Sequence, residues 1–226
     1  MDRGKNIKLL ALLSIALFFA FACSKDDSTP LKTLESSDYF PVDTGTYWIY
    51  DVTKIEIDAP INRYDTNVFE IKMLVKQYDG DLKQYEFWRY SRVDSLSSWE
   101  NYDIVTVSID DYSVQWVEDN LRYLKMKNPI VENRNWDGNT YNIKEPWNYL
   151  YSDLDYTFEN DYLNISNCII IEQRNVVNLL QSEIAKEVYA KNIGLVYKYE
   201  EVLILEANLP KTGYINEFNL KLYKTR

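Results

Sequence analysis

Histidine is absent from the 226 residues, cysteine occurs twice and glycine six times. Each scarcity removes a class of chemistry. Without an imidazole there is no Ser-His-Asp or Cys-His nucleophile pair and no histidine metal site. Two cysteines make no disulfide framework. The few glycines form no phosphate-cradling loop, no dinucleotide fingerprint and no Gly-x-Ser-x-Gly elbow. Positive charge is also in deficit: 25 Lys and Arg against 35 Asp and Glu give a formal net charge of −10. A row of phosphates needs a basic stripe to neutralise it, so nucleic acid is excluded as a partner. Carboxylate-only hydrolysis is the enzymatic chemistry left open, and no cofactor or metal signature is present. The apolar run Leu9 to Ala22 has 14 residues, interrupted only by Ser14, short of the roughly 20 that a transmembrane helix needs.

That run follows Arg3, Lys5 and Lys8, the order of charged n-region and apolar h-region in a secretion signal. It ends in Ala20-Phe21-Ala22-Cys23, which resembles a bacterial lipobox, with Ala20 where Leu is preferred and Phe21 where a small residue is preferred. The resemblance implies that the Cys23 thiol takes a diacylglycerol, that the chain is cut before it, and that the new amino terminus is acylated. Two or more acyl chains hold a protein firmly on a bilayer, whereas one does so only marginally. Ser24-Lys25-Asp26-Asp27 comes next, similar to the Ser-Lys-acidic-acidic signal of surface-exposed lipoproteins in Bacteroidota-type bacteria. As residues alone, the same stretch also suits a solvated linker. The expected organisation is a signal peptide over 1–22, a lipidated tether over 23–38 and one β-rich domain over 39–226. The expected location is the outer membrane, lipid-anchored through Cys23 and facing the cell exterior. A flexible coil of the tether's length spans roughly 20 Å. Without residues 1–22, 22 basic residues face 34 acidic ones, a charge of about −12.

The remainder is rich in Tyr, Trp, Val, Ile and Thr, with Asn and Asp between, a vocabulary of strands and turns. Alternation with period two places Val105, Val107 and Ile109 on one face, as it does Tyr112, Val114 and Trp116, and Phe218, Leu220 and Leu222. That pattern marks antiparallel sheet with one face buried. Strands are expected near 46–58, 67–78, 82–93, 103–109, 112–118, 121–127, 149–158, 161–173, 183–191, 195–206 and 215–224. Helix is plausible only around Val176 to Lys186, which also suits a strand. The short gaps between strands mean hairpins. The fold class is therefore mainly β: a single antiparallel meander, strongly curved or closed as a barrel, with little helix outside the signal peptide.

At "YFPVDTGTYWIYDV" the chain resembles the first strand of a group of Bacteroidota lipoproteins of uncharacterised function, in the spacing of Phe40, Pro41, Gly45, Trp48 and Tyr50. "RYSR", "NWDGNTYN" and "YAKNIGLVYKYE" fit the same group. The resemblance implies a compact β-rich envelope domain and brings no catalytic or binding residue with it.

Three constellations bear on chemistry. In "NRNWDGN", Asn133, Asn135, Asp137 and Gly138 have the spacing of the first residues of a calcium loop, but Lys144 stands where the bidentate Glu belongs, so turn chemistry is the expectation. Asp153, Asp155, Glu159 and Asp161 gather in "SDLDYTFENDY". Paired carboxylates can hydrolyse glycosides only at defined separations, and solvated strand faces joined by a turn are the expected outcome. Of the six tryptophans, Trp48, Trp88 and Trp116 sit within strands as expected core. Trp99, Trp136 and Trp147 fall near loops and are the candidate ligand-facing aromatics. Cys168, between apolar neighbours, is expected to be a buried structural thiol.

These features point first to a non-enzymatic binding or envelope-accessory module with a glycan or envelope-protein partner. A carboxylate-based glycan hydrolase and a purely structural envelope protein are the alternatives.

Overall fold

The computed structural model describes residues 33–225. The lipobox with Cys23 and the Ser24-Lys25-Asp26-Asp27 stretch lie outside the described residues. Twelve strands follow a single helical turn, α1 (Ser36–Tyr39). They are β1 (Tyr47–Asp58), β2 (Arg63–Asp79), β3 (Gln84–Arg92), β4 (Glu100–Ile109), β5 (Ser113–Glu118) and β6 (Leu121–Lys127). The second half holds β7 (Asn135–Asp137), β8 (Asn148–Glu159), β9 (Asn164–Val177), β10 (Gln181–Ala190), β11 (Gly194–Glu206) and β12 (Leu209–Lys224).

All pairings are antiparallel and the sheet runs β6-β5-β4-β3-β2-β1-β12-β11-β10-β9-β8-β7. Because β1 pairs with β12 along its whole length, the two outermost strands are the sequence neighbours β6 and β7. They meet at a seam. Leu124 N donates to Gly138 O at 2.9 Å, and side chains replace the rest of a ladder. Trp136 Nε1 donates to Leu124 O, Asn142 Nδ2 to Arg122 O, and the Tyr151 hydroxyl bonds both Lys127 N and Lys127 O. The result is an up-and-down, nearly closed barrel of twelve strands, wide enough to leave space inside.

The expected meander and curvature hold, and eleven expected strands correspond to observed ones. The differences have local causes. No helix forms around Val176 to Lys186, where Asn178 Oδ1 instead caps a tight β9–β10 turn by accepting from Leu180 N and Gln181 N. Leu222 is half exposed because a register shift between Ile49 and Tyr50 puts two residues of β12 opposite one step of β1, and Tyr223 pairs with Trp48 in its place. Such a bulge flips every later side chain to the other face. Tyr112 is exposed in the β4–β5 turn rather than inside. Trp88 is on the outer face: Phe87 and Arg89 are the inward residues of β3, and Trp88 lies under the Lys76 ammonium, 4.8 Å from its ring. The domain also starts before residue 39, within the stretch expected as tether. Leu34 bridges Ile130, Ser36 is fully buried, and Ser36 N donates to Asn128 Oδ1 at 2.8 Å.

Strand direction defines two ends. The β2–β3, β4–β5, β8–β9 and β10–β11 turns share one end with the entering chain. There α1 and Phe40 close the barrel: Asn192 N donates to Asp38 O and Trp48 Nε1 to Ile193 O at 2.6 Å. The β1–β2, β3–β4, β5–β6, β9–β10 and β11–β12 turns and the 138–147 loop form the opposite end.

Candidate functional site

The lower lumen, next to the closed end, is a packed aromatic floor. Trp48 stacks on Phe87 at 6.0 Å between centroids, and the Phe40 ring stands within 6.3 Å of Phe87, Trp116 and Tyr189. Aromatic rings in such tilted and edge arrangements gain beyond their area. Their polar ends are met: the Tyr50 hydroxyl donates to Leu195 O. The space left at this level is about 60 Å³.

One residue pair further along the strands, the wall changes character. The strands running toward the open end repeat one step: Val52 to Lys54, Phe87 to Arg89, Trp116 to Glu118, Ile171 to Gln173, Val196 to Lys198. Each first member is buried and apolar. Each second member keeps the same inward phase and lines a cavity of about 320 Å³. Arg89, Glu118, Lys125, Lys198 and Phe218 line both spaces, so they are continuous. Tyr102 and Lys144, both exposed, mark where the cavity meets solvent at the open end.

Three carboxylates in this lumen are held by donors. Glu118 accepts from the Arg89 guanidinium and from Trp116 Nε1, and Arg89 also holds Asp103. Glu187, 2% exposed, takes Lys125 at 2.5 Å and the Tyr189 hydroxyl at 2.8 Å. Glu200 takes the Tyr214 hydroxyl at 2.7 Å and stands 3.5 Å from the Lys198 ammonium. Burial by itself would raise the Glu118 carboxyl, but Arg89 and Lys198 outweigh it and leave it below the ordinary carboxylate range. Glu200 behaves alike: burial raises it, while Lys198 and Tyr214 bring it lower. The donors are less fully engaged. Gln173 is 4% exposed and its Nε2 has no hydrogen-bond partner within the protein. Lys144 has no ion pair among the described residues and lies over the Tyr123 ring at 5.2 Å. Rings of Tyr102, Tyr123, Trp147 and Tyr149 complete the wall.

Trp147 therefore lies on the cavity wall, with the Arg174 guanidinium 5.7 Å from its ring. Trp99 is half-buried outside the cavity, with Arg92 over its ring at 4.2 Å. Trp136 is corrected: it is 5% exposed and belongs to the seam, locked between Tyr149 and Tyr151. The "NRNWDGN" loop is turn chemistry. Asn133 takes a left-handed φ, and Asp137 Oδ1 accepts from Asn139 N and Trp147 N. No group of three or more acidic or cysteine side chains suited to a metal occurs among the described residues. Asp153, Asp155, Glu159 and Asp161 line neither lumen space and sit around the β8–β9 turn. Cys168 is fully buried and free, its Sγ donating to Ile165 O, and burial pushes the thiol pKa up.

No protein-family model and no curated protein matches the chain. A solved structure from Bacteroides fragilis, assigned as an exported protein with a YmcC-like fold, is similar with a TM-score of 0.45 and 11% identity, covering 83% of this chain and 99% of that one. A likeness at that level carries no statement about ligand or reaction.

Proposed function

We propose that this chain is a binding module, lipid-anchored at Cys23 in the outer membrane and facing the cell exterior, that holds a small ligand in the lumen of its barrel. The observation that carries the binding role is the lumen itself. It is floored by packed aromatics at the end where the chain enters the domain, and it opens through a charged, ring-lined cavity of about 320 Å³ at the other end. That volume falls at the small end of ligand pockets, about 300–1,000 Å³. The anchoring rests on the apolar run ending at Cys23 and on Ser24-Lys25-Asp26-Asp27 after it. A chain entering at the closed end leaves the mouth at the end remote from its tether.

Hydrolysis is the weaker reading. Its proton donor would have to be Glu118 or Glu200, the acids lining the cavity, and a general acid needs a pKa raised toward neutrality. Both are held below the ordinary range. The test has two parts. Cys23→Ala should release the protein from the membrane fraction, and protease added to intact cells should cut the wild type. Full-length protein in detergent should bind a member of a glycan and small-metabolite panel saturably. Retention of the variant in membranes would overturn the anchor, protection from protease the outward orientation, and a flat panel the binding role.

A further inference from the structure

The unmet groups of the lumen have one polarity, and this deepens the binding reading on which it rests. The carboxylates Glu118, Glu187 and Glu200 are each met by at least two donors. Two donors lack acceptors: Gln173 Nε2, deep on β9, and the Lys144 ammonium at the mouth. A buried amide N–H left without an acceptor costs about 1–3 kcal/mol, so an occupant carrying an acceptor oxygen gains at that point. The charge count has the same sign. Lys54, Arg89, Lys125, Lys144 and Lys198 line the cavity against Glu118 and Glu200, although the whole chain is at −10. Low-dielectric walls strengthen such a local field. Between the two open donors stand Tyr123, Trp147 and Tyr149, flat surfaces suited to a ring.

We infer that the lumen takes a small organic acid carrying its carboxylate on a ring, with the acid directed to Gln173 Nε2 and the lysines and the ring lying on the aromatic wall. A uronic sugar and an aromatic carboxylate share that chemistry.

Calorimetric titration of the full chain in detergent distinguishes them. Its arms are galacturonate and glucuronate mono- and disaccharides, benzoate-type acids, and the neutral amide of each. One acid arm should bind, its amide about tenfold more weakly, the loss expected when a charge-assisted hydrogen bond goes. Binding should also weaken as salt rises. Gln173→Met removes the open donor at similar size and should weaken the acid about tenfold while leaving the amide unchanged. Lys144→Met, on an exposed loop that does not support the fold, should weaken the acid several-fold and flatten the salt dependence. Equal affinity for acid and amide, or no effect of either variant, would overturn the anion assignment and leave a binding module of another specificity. Acids that fail to bind while a neutral glycan binds would do the same. Silence from all arms, neutral glycans included, would remove the binding role as well.

Discussion

The lower and upper lumen are built from the same strands, one residue pair apart, and obey opposite rules. In the lower part every inward side chain is apolar or has its one polar atom bonded to backbone, and little space remains. In the upper part β1, β3, β5, β9 and β11 all exchange an apolar residue for a polar one at the same step, and a cavity opens. A packed core alone would continue the apolar series, since burying charges costs more than it returns unless each is paired. Nature's departure from the cheaper pattern, repeated on five strands at one level, is what separates a ligand wall from a core.

The largest effect should come from the floor. Phe87→Ala removes a ring touching Trp48, Phe40 and Trp116 and should cost about 3–5 kcal/mol in denaturant unfolding. A loss under about 1 kcal/mol would mean that the floor is loosely packed. Close behind, Glu187→Gln leaves Lys125, 13% exposed at its side chain, without its counter-ion, at a cost of about 3 kcal/mol. The double variant Glu187→Leu with Lys125→Met should recover most of that. If it does not, the pair contributes more than mutual neutralisation, and the upper wall is structural in the same sense as the floor.

Much of this was legible before any coordinates, and the remainder was hidden for definable reasons. Period-two alternation located the strands because each has one buried face, and the turns carried Asn, Asp and Gly. Register was not legible, because a bulge inserts one residue without a strong local signature: Leu222 sits outside only because β12 slips against β1. Trp88 looked like core from its size, yet its phase relative to Phe87 places it outside. Trp136 looked like a loop residue, but it supplies the donor that helps close the seam. The polar level of the lumen was readable in principle. Arg89 shares the phase of Phe87, and Gln173 that of Ile171, so charged residues in an apolar phase were the available signal. That these five positions stand at one height requires the topology.

At the closed end, Gly194 has φ of +103°, and a methyl group there would meet Pro41 at 3.3 Å and Trp48 at 3.4 Å. Gly194→Ala should cost about 2 kcal/mol, combining backbone strain with displacement of the floor. A neutral result would show that the floor yields easily. Acid should act mainly on the upper wall. Glu118 and Glu200 titrate lower folded than unfolded, so their contribution is present above the ordinary carboxylate pKa and is lost as pH falls through their folded values. Urea midpoints should therefore drop below about pH 4.5, and Glu118→Gln should flatten that drop. An unchanged acid limb would mean that neither carboxylate is tied to the fold.

The smallest stability effect is the most telling for the comparison. Trp147 is half-buried on the upper wall and belongs to no aromatic cluster of the floor. Its truncation to Ala should cost less than Phe87→Ala, about 1–2 kcal/mol, because a half-exposed ring buries less apolar area and its neighbours border open space. It should nonetheless weaken a ring-bearing ligand by about tenfold, the scale of a lost aromatic contact in a binding site. Phe87→Ala, by contrast, should change affinity no further than its loss of folded protein accounts for. If Trp147→Ala destabilises as much as Phe87→Ala and leaves binding intact, the difference between the two levels is one of packing density alone. The polar step on the five strands would then need another explanation.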